Sequence, residues 1–229
     1  MLAIVPARKG SKGLPGKNIK LLNGVPLILH TINAAIKSKN ITRIIISTDD
    51  DEIISLCKNI KEVDIPFKRP KYLAGDKSIL TDTIFHLFNW MLNNEGAEPK
   101  SFCVLQPTSP LRLAKDIDGA INFFNNIKAD AVLSVYETRP LFFSLSKSNR
   151  LISDRKETSA FMLARQKVEN GVVQNGAVHV FNTAKLKKIK SYYSKNTYGF
   201  KMPANRSIDI DTKFDFFMAE QIMKNKLHL

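Results

Sequence analysis

Four cations and three glycines crowd into Arg8-Lys9-Gly10-Ser11-Lys12-Gly13-Leu14-Pro15-Gly16-Lys17-Asn18. This stretch follows an apolar run, Leu2–Ala7, that reads as a buried strand. Glycines let backbone N–H groups converge on an anion, and Arg8, Lys12 and Lys17 add full charges suited to phosphate oxygens. A triphosphate is the natural guest. The spacing excludes two common alternatives. Gly10 to Gly16 encloses five residues and Asn18 stands where a P-loop needs Ser or Thr. The glycine pattern of dinucleotide-binding folds is also absent.

A second constellation is Ser207-Ile208-Asp209-Ile210-Asp211-Thr212. On a strand, residues two apart share a face, so Asp209 and Asp211 would sit side by side. Adjacent carboxylates repel unless a cation lies between them, and oxygen ligands near a phosphate loop favour Mg²⁺. Thr212 and Asp215 also suit the start of a final helix. The third is Gln106-Pro107-Thr108-Ser109-Pro110-Leu111-Arg112, polar groups on a proline-stiffened loop that suits either a small-molecule site or a rigid turn. The fourth, Gln174-Asn175-Gly176, reads first as a hairpin turn. Arg165-Gln166 lies a short way upstream.

These groups need a scaffold. Apolar runs at 44–46, 102–105 and 131–135, the first wholly β-branched, read as buried strands, alternating with helical patterns at 27–36, about 50–59, 81–92, 116–127 and 214–227. That rhythm predicts an α/β chain: a mostly parallel sheet between helical layers. After about residue 138 the pattern shifts to short strands at 141–145, 171–173 and 178–181. Residues 139–200 are expected to include a β-rich excursion, serving as lid or oligomer contact, within a single domain spanning 1–229.

Composition narrows the classes further. Hydrophobic residues are 44% and charged residues 24%, which excludes disordered and collagen-like chains. The longest apolar runs are too short for a membrane span, and the start reads as a strand rather than a leader. Cys57 and Cys103 have no partner cluster, and the four histidines show no ligand spacing, so a cytoplasmic protein without a zinc site is expected. The net charge of +14 admits a basic nucleic-acid-binding module as a rival. However, each half of the chain carries +7 (17 basic against 10 acidic side chains in 1–115, 18 against 11 in 116–229), and no nucleic-acid-binding motif is present. The densest cluster, Lys185, Lys187, Lys188 and Lys190, reads as solvated surface.

Residues 4–18 resemble the nucleotide loop of the acylneuraminate (CMP-sialic acid) cytidylyltransferases. Residues 105–112, Asn175-Gly176-Ala177 and 208–212 are similar to the family's other three signatures, in the same order. The resemblance implies a Rossmann-like nucleotide-diphospho-sugar transferase fold in three αβα layers. It also implies CTP-dependent activation of a nine-carbon α-keto acid sugar. Arg8, Gly10, Ser11, Lys12, Lys17 and Asn18 would hold CTP, and Asp209 and Asp211 would hold Mg²⁺, with Lys17 counted among the catalytic groups. Gln106, Arg165, Gln166, Asn175, Tyr192 and Tyr193 would contact the sugar, the tyrosine pair reaching the partner's site in a homodimer. Departures fall mostly on the sugar side: Phe142 where the sialate enzymes tend to carry lysine, and His179 where tyrosine is common. Lys9 also replaces a usual glycine. A more apolar sugar, legionaminic or pseudaminic acid, is expected on that ground. A 3-deoxy-manno-octulosonate cytidylyltransferase is the nearer alternative, but its loop typically reads Ser-Thr-Arg-Leu-Pro, unlike Gly10–Gly13.

Overall fold

The computed structural model describes residues 1–10, 13–75, 78–138, 143–153 and 171–229. Its first strand, β1 (Leu2–Pro6), buries both faces: Ala3 and Val5 join one core cluster, Leu2 and Ile4 another. A strand buried on both faces needs cover on both sides, and the helices supply it. A short hairpin follows, β2 (Leu21–Leu22) and β3 (Val25–Pro26), whose turn residues Asn23 and Gly24 both have positive φ. Next come α1 (Leu27–Ile36), β4 (Arg43–Ser47), α2 (Asp51–Cys57) and β5 (Val63–Asp64). Pro26 precedes the first residue of α1, and the Asp50 carboxylate accepts the Glu52 N–H at the start of α2. α3 (Leu80–Glu95), β6 (Ser101–Val104), α4 (Ala114–Ile127) and β7 (Ala131–Thr138) complete the alternating half.

The second half departs from the expected pattern. β8 (Phe143–Leu145) and β9 (Leu151–Ser153) pair with each other apart from the main sheet. β10 runs unbroken over twelve residues, Gly171–Asn182, where two short strands were expected. α5 (Thr183–Ile189), β11 (Thr197–Lys201) and α6 (Lys213–Lys224) follow. From Gly171 onward, then, much of the predicted β-rich excursion belongs to the central sheet.

That sheet has seven strands in the order β11-β7-β10-β6-β1-β4-β5. β10 alone runs antiparallel to its neighbours; the other pairings are parallel. One core cluster packs α1, α2 and α4 on one face, and a second packs α3 and α5 on the other. The chain goes from β1 outward to β4, then returns to place β6 on the opposite side of β1. Loops after β1 and β6 therefore diverge from adjacent strand ends and leave a crevice there. No helix among the described residues is long and apolar enough to cross a membrane.

Candidate active site

A third, smaller core cluster assembles the site. Leu14 from the glycine-rich loop, Leu111 from the loop after β6, Ile210, and Phe216 with Ala219 from α6 pack together with Leu22 and Leu27. Apolar contacts thus bring three polar segments to one place. The 207–212 segment is not a strand as expected: it is extended chain joined to the β6 loop by the Ile210 N–H on the Thr108 carbonyl, at 2.8 Å. The alternation survives without a ladder. Ile210 is buried, with Asp211 lining the central cavity on one side of it in sequence and Asp209 lining a neighbouring cavity on the other. The capping role of Thr212 and Asp215 is present as well, reciprocally, at the start of α6.

The glycine-rich loop closes against this acidic segment. Lys17 Nζ donates to the Ile210 carbonyl at 2.8 Å and lies 3.0 Å from Asp211 Oδ1. A side chain at Gly13 would put its Cβ 2.2 Å from the Asp211 carbonyl oxygen, so only glycine permits the approach. Asn18 Nδ2 donates to the Arg8 carbonyl at 3.2 Å, and Lys9 N–H donates to Asp49 Oδ1 at 2.9 Å, which holds the loop's entry. Arg8, Lys17 and Asn18 then face Gln106, Thr108 and Asp211 around a cavity of ≈ 290 Å³.

Two further cavities adjoin. One, of ≈ 190 Å³, shares Pro6 and Arg8 with the first and adds Arg69, Ser78 and Thr83. Arg69 is buried: its Nε donates to Ser47 Oγ at 3.1 Å and its Nη2 to the Ser47 carbonyl. Burial lowers its pKa to about 10, opposed by Asp49 and assisted by Arg8. Sequence reasoning missed Arg69, because nothing in Lys68-Arg69-Pro70 distinguishes a buried arginine from a surface one. The other cavity, of ≈ 460 Å³, is lined by Asp209, Gln174 and Asn175 with Tyr136, Phe214 and Met218. The Asp209 carboxyl is pushed above its ordinary value by burial first; a Thr108 hydrogen bond opposes this and the Asp211 charge adds to it.

Asn175-Gly176 is not a hairpin turn. It forms an irregularity within β10, between the register points Gln174 and His179. Asn175 is 1% exposed, accepts from Ser134 Oγ (2.6 Å) and the Ala177 N–H (3.1 Å), and donates to Ser207 Oγ (2.8 Å). Buried partners outbid the turn: a bulge keeps the strand paired while the side chain ties β7, β10 and the 207 segment together. Gly176, at φ +67°, lets Gln106 approach, since a Cβ there would meet Gln106 Oε1 at 2.9 Å. Beneath lies Arg112, fully buried, donating to the Ala177 carbonyl, Thr31 Oγ1 and the Gln106 carbonyl. Burial brings its pKa down to about 10, with Cys103, Asp116 and Asp209 opposing.

Of the sequence-derived residues, Arg8, Lys17, Asn18, Gln106 and Asp211 thus share one cavity, and Asp209 and Asn175 line the next. Gly10 sits on the open loop with nothing within 4 Å of a built Cβ. Tyr192 packs on Phe181 and near His179 of its own chain, and the Tyr193 hydroxyl donates to Gln174 Oε1 at 2.9 Å. Ser11, Lys12, Arg165 and Gln166 lie outside the described residues, as does Arg139–Phe142.

A family profile described as cytidylyltransferase matches residues 2–225. The chain belongs to the cytidylyltransferase family. Among the chain's relatives, the N-acylneuraminate cytidylyltransferase of Streptococcus agalactiae serotype V is 31% identical over 220 residues, 94% of this chain and 51% of that protein. The CMP-N,N'-diacetyllegionaminic acid synthase of Legionella pneumophila is 31% identical over 229 residues, 98% of this chain and 96% of that one. The chain therefore spans about half the length of the Streptococcus relative and nearly all of the Legionella one. A solved CMP:2-keto-3-deoxy-manno-octonic acid synthetase complexed with CTP superposes with a TM-score of 0.71 at 15% identity, covering 98% of both chains. That likeness shows the expected α/β fold.

Proposed function

We propose that this chain transfers a cytidylyl group from CTP to an acidic nonulosonic sugar, releasing pyrophosphate. The observation that carries the reading is the cavity in which Arg8, Lys17 and Asn18 face Gln106 and Asp211. The sugar's anomeric hydroxyl attacks the α-phosphorus. An O–P bond forms, the α–β phosphoanhydride breaks, pyrophosphate leaves and the hydroxyl proton is lost. Such a displacement depends on positioning and charge neutralisation.

The residues supply both. Lys17 is held by the Ile210 carbonyl and Asp211, so its ammonium needs little reorganisation to meet phosphate oxygens. Arg8 borders both the central cavity and the ≈ 190 Å³ cavity beside it, which suits the base, with Arg69 as a fixed donor. Asp209 and Asp211 suit Mg²⁺ by chemistry: two carboxylates that flank Ile210 in an extended segment, one of them driven up by burial and its neighbour's charge. Among the described residues no group of three or more His, Cys, Asp or Glu side chains could hold a metal, so phosphate and water oxygens would complete the ligand set. Bound there, Mg²⁺ would neutralise charge on the leaving pyrophosphate.

The apolar walls of the ≈ 460 Å³ cavity favour a sugar of the legionaminic or pseudaminic type. Exposed Leu145 and Ile152 on the β8–β9 pair suit a homodimer contact. Free, buried Cys57 and Cys103 suit a reducing cytoplasm. Neither nucleic acid nor membrane is a partner in this reading.

Pyrophosphate release tests the proposal, with CTP, Mg²⁺ and a panel of nonulosonic acids and 3-deoxy-manno-octulosonate, and with ATP, GTP and UTP as controls. Selective turnover of CTP with a nonulosonic acid is expected. Nucleic-acid binding that falls with salt, without turnover, would overturn it. Equal or better turnover of N-acetylneuraminate than of legionaminic or pseudaminic acid would overturn the apolar sugar. Loss of Mg²⁺-dependent turnover in folded Asp211→Asn is expected; normal activity would remove the metal role.

A further inference from the structure

β10 pairs with β7 at Gln174 opposite Val135 and again at His179 opposite Leu133, and Ser134 is the β7 residue in between. Ser134 is wholly buried. Its hydroxyl accepts the Val178 N–H at 2.7 Å, where the ladder is interrupted, and donates to Asn175 Oδ1 at 2.6 Å. The Ala177 N–H donates to the same oxygen at 3.1 Å. A backbone N–H can only donate, so the orientation of the amide is fixed. Nδ2 then faces Ser207 Oγ at 2.8 Å and Met202 Sδ at 3.6 Å. Ser207 Oγ donates its own hydrogen to the Pro203 carbonyl at 2.8 Å, so it accepts from Asn175.

A side-chain amide has two acceptor sites and two donor hydrogens. In Asn175 all four are taken by the chain itself. The residue borders the ≈ 460 Å³ cavity, but it is 1% exposed and has no hydrogen bond left for a sugar. What its amide reaches instead is the chain that carries the acidic residues. Ser207 opens the extended segment of Asp209 and Asp211. Further along, the Ile210 N–H ties that segment to the Thr108 carbonyl, and the Ile210 carbonyl holds Lys17 Nζ. The segment is not part of a ladder, so these few bonds set its position. Asn175 fixes its start, and Lys17 takes its place from its end.

We propose that Asn175 is a positioning residue, not a sugar contact: it acts through Ser207 on the segment carrying Asp209 and Asp211, and through that segment on Lys17. The proposal rests on the cytidylyltransferase reading above.

Steady-state kinetics of Asn175→Ala, Ser207→Ala and the double variant test it, with CTP and a nonulosonic acid, well below each variant's melting temperature. In both single variants kcat falls by about 10- to 100-fold, the scale of a small misplacement of reacting groups. KM for the sugar holds within about twofold. The double variant is no slower than the slower single one, because both substitutions break one connection. A merely structural role moves neither constant in folded protein. A sugar contact gives the opposite split: KM for the sugar rises by about 10-fold in Asn175→Ala, and Ser207→Ala does not follow. That result, additive losses, or an unchanged kcat in the folded variants overturns the positioning role and leaves the enzymatic reading intact. If Asn175→Ala does not fold, Ser207→Ala and Ser134→Ala decide by the same split, since Ser134 is buried and lines none of the three cavities. A wild type that turns over no nonulosonic acid overturns both.

Discussion

Lys17 and Asp211 are 194 residues apart in the chain and 3.0 Å apart in the structure. The pair joins the glycine-rich loop to the acidic segment and holds an ammonium beside the cavity. Asp211 is 75% exposed, so the ion pair itself is worth no more than about 1 kcal/mol. Its importance is in placement. Lys17→Ala is expected to melt within a few degrees of wild type yet lose turnover by about 10²-fold. Pyrophosphate release at limiting CTP, alongside a thermal melt, checks both halves. An unchanged rate would remove Lys17 from the nucleotide site.

Gly13 separates steric from flexible roles of the loop glycines. Its Cβ position lies 2.2 Å from the Asp211 carbonyl oxygen, a backbone atom that cannot swing aside. At Gly10 nothing lies within 4 Å. Gly13→Ala should therefore lower stability by about 1–3 kcal/mol, as overpacking does. Gly10→Ala should leave the urea midpoint nearly unmoved. Equal midpoints for the two variants would contradict the close approach.

Arg206 and Asp116 form a two-pronged ion pair at 2.9 and 2.8 Å, with both side chains almost wholly covered. Asp116 also accepts the Leu113 N–H at the start of α4. Removing one partner strands a buried charge, so Arg206→Met is expected to cost about 3–5 kcal/mol in urea unfolding. Because the 204–206 turn leads directly into Asp209 and Asp211, turnover should fall as well. A loss below about 1 kcal/mol would mean that the pair contributes little.

His179 predicts a pH dependence. Its folded pKa of about 4 lies below the ordinary 6.5, because burial and then Arg112 disfavour the cation. The unfolded chain therefore takes up the proton first as pH falls. The stability from keeping this ring neutral is complete above about 6.5 and is lost progressively down to about 4, to an extent of about 3 kcal/mol. Unfolding free energies of wild type and His179→Phe, compared from pH 7 to 4.5, isolate this contribution from the carboxylates. Parallel curves would show that His179 is not buried as a neutral ring.

The alternating elements of the first half were legible in the sequence. The apolar runs that became β1, β4 and β6 have few alternatives in water, and residues such as Pro26 and Asp50 mark helix starts by local chemistry alone. The charged groups that line the central cavity were legible for a similar reason, since cations and glycines directly after a buried strand have little structural purpose. Arg69 gave no such signal, and Gln174 and Arg112 showed only that they belong to polar motifs: what these three side chains touch depends on neighbours 19 to 81 residues away.

Asn23-Gly24 and Asn175-Gly176, two of the three Asn-Gly dipeptides in the sequence, show where local information ends. Asn23-Gly24 is exposed, takes positive φ at both residues and makes the tight turn between β2 and β3. Asn175-Gly176 has the same letters, yet it lies inside a strand with positive φ at the glycine alone. Its amide spends its hydrogen bonds on Ser134, Ala177 and Ser207, where burial makes each unmet bond costly. Sequence alone determined that the chain alternates strand and helix, and that a loop rich in glycine and cations follows its first strand. Only the tertiary structure decided that Lys17, Gln106 and Asp211 border one cavity, because apolar packing of Leu14, Leu111 and Ile210 draws their segments together.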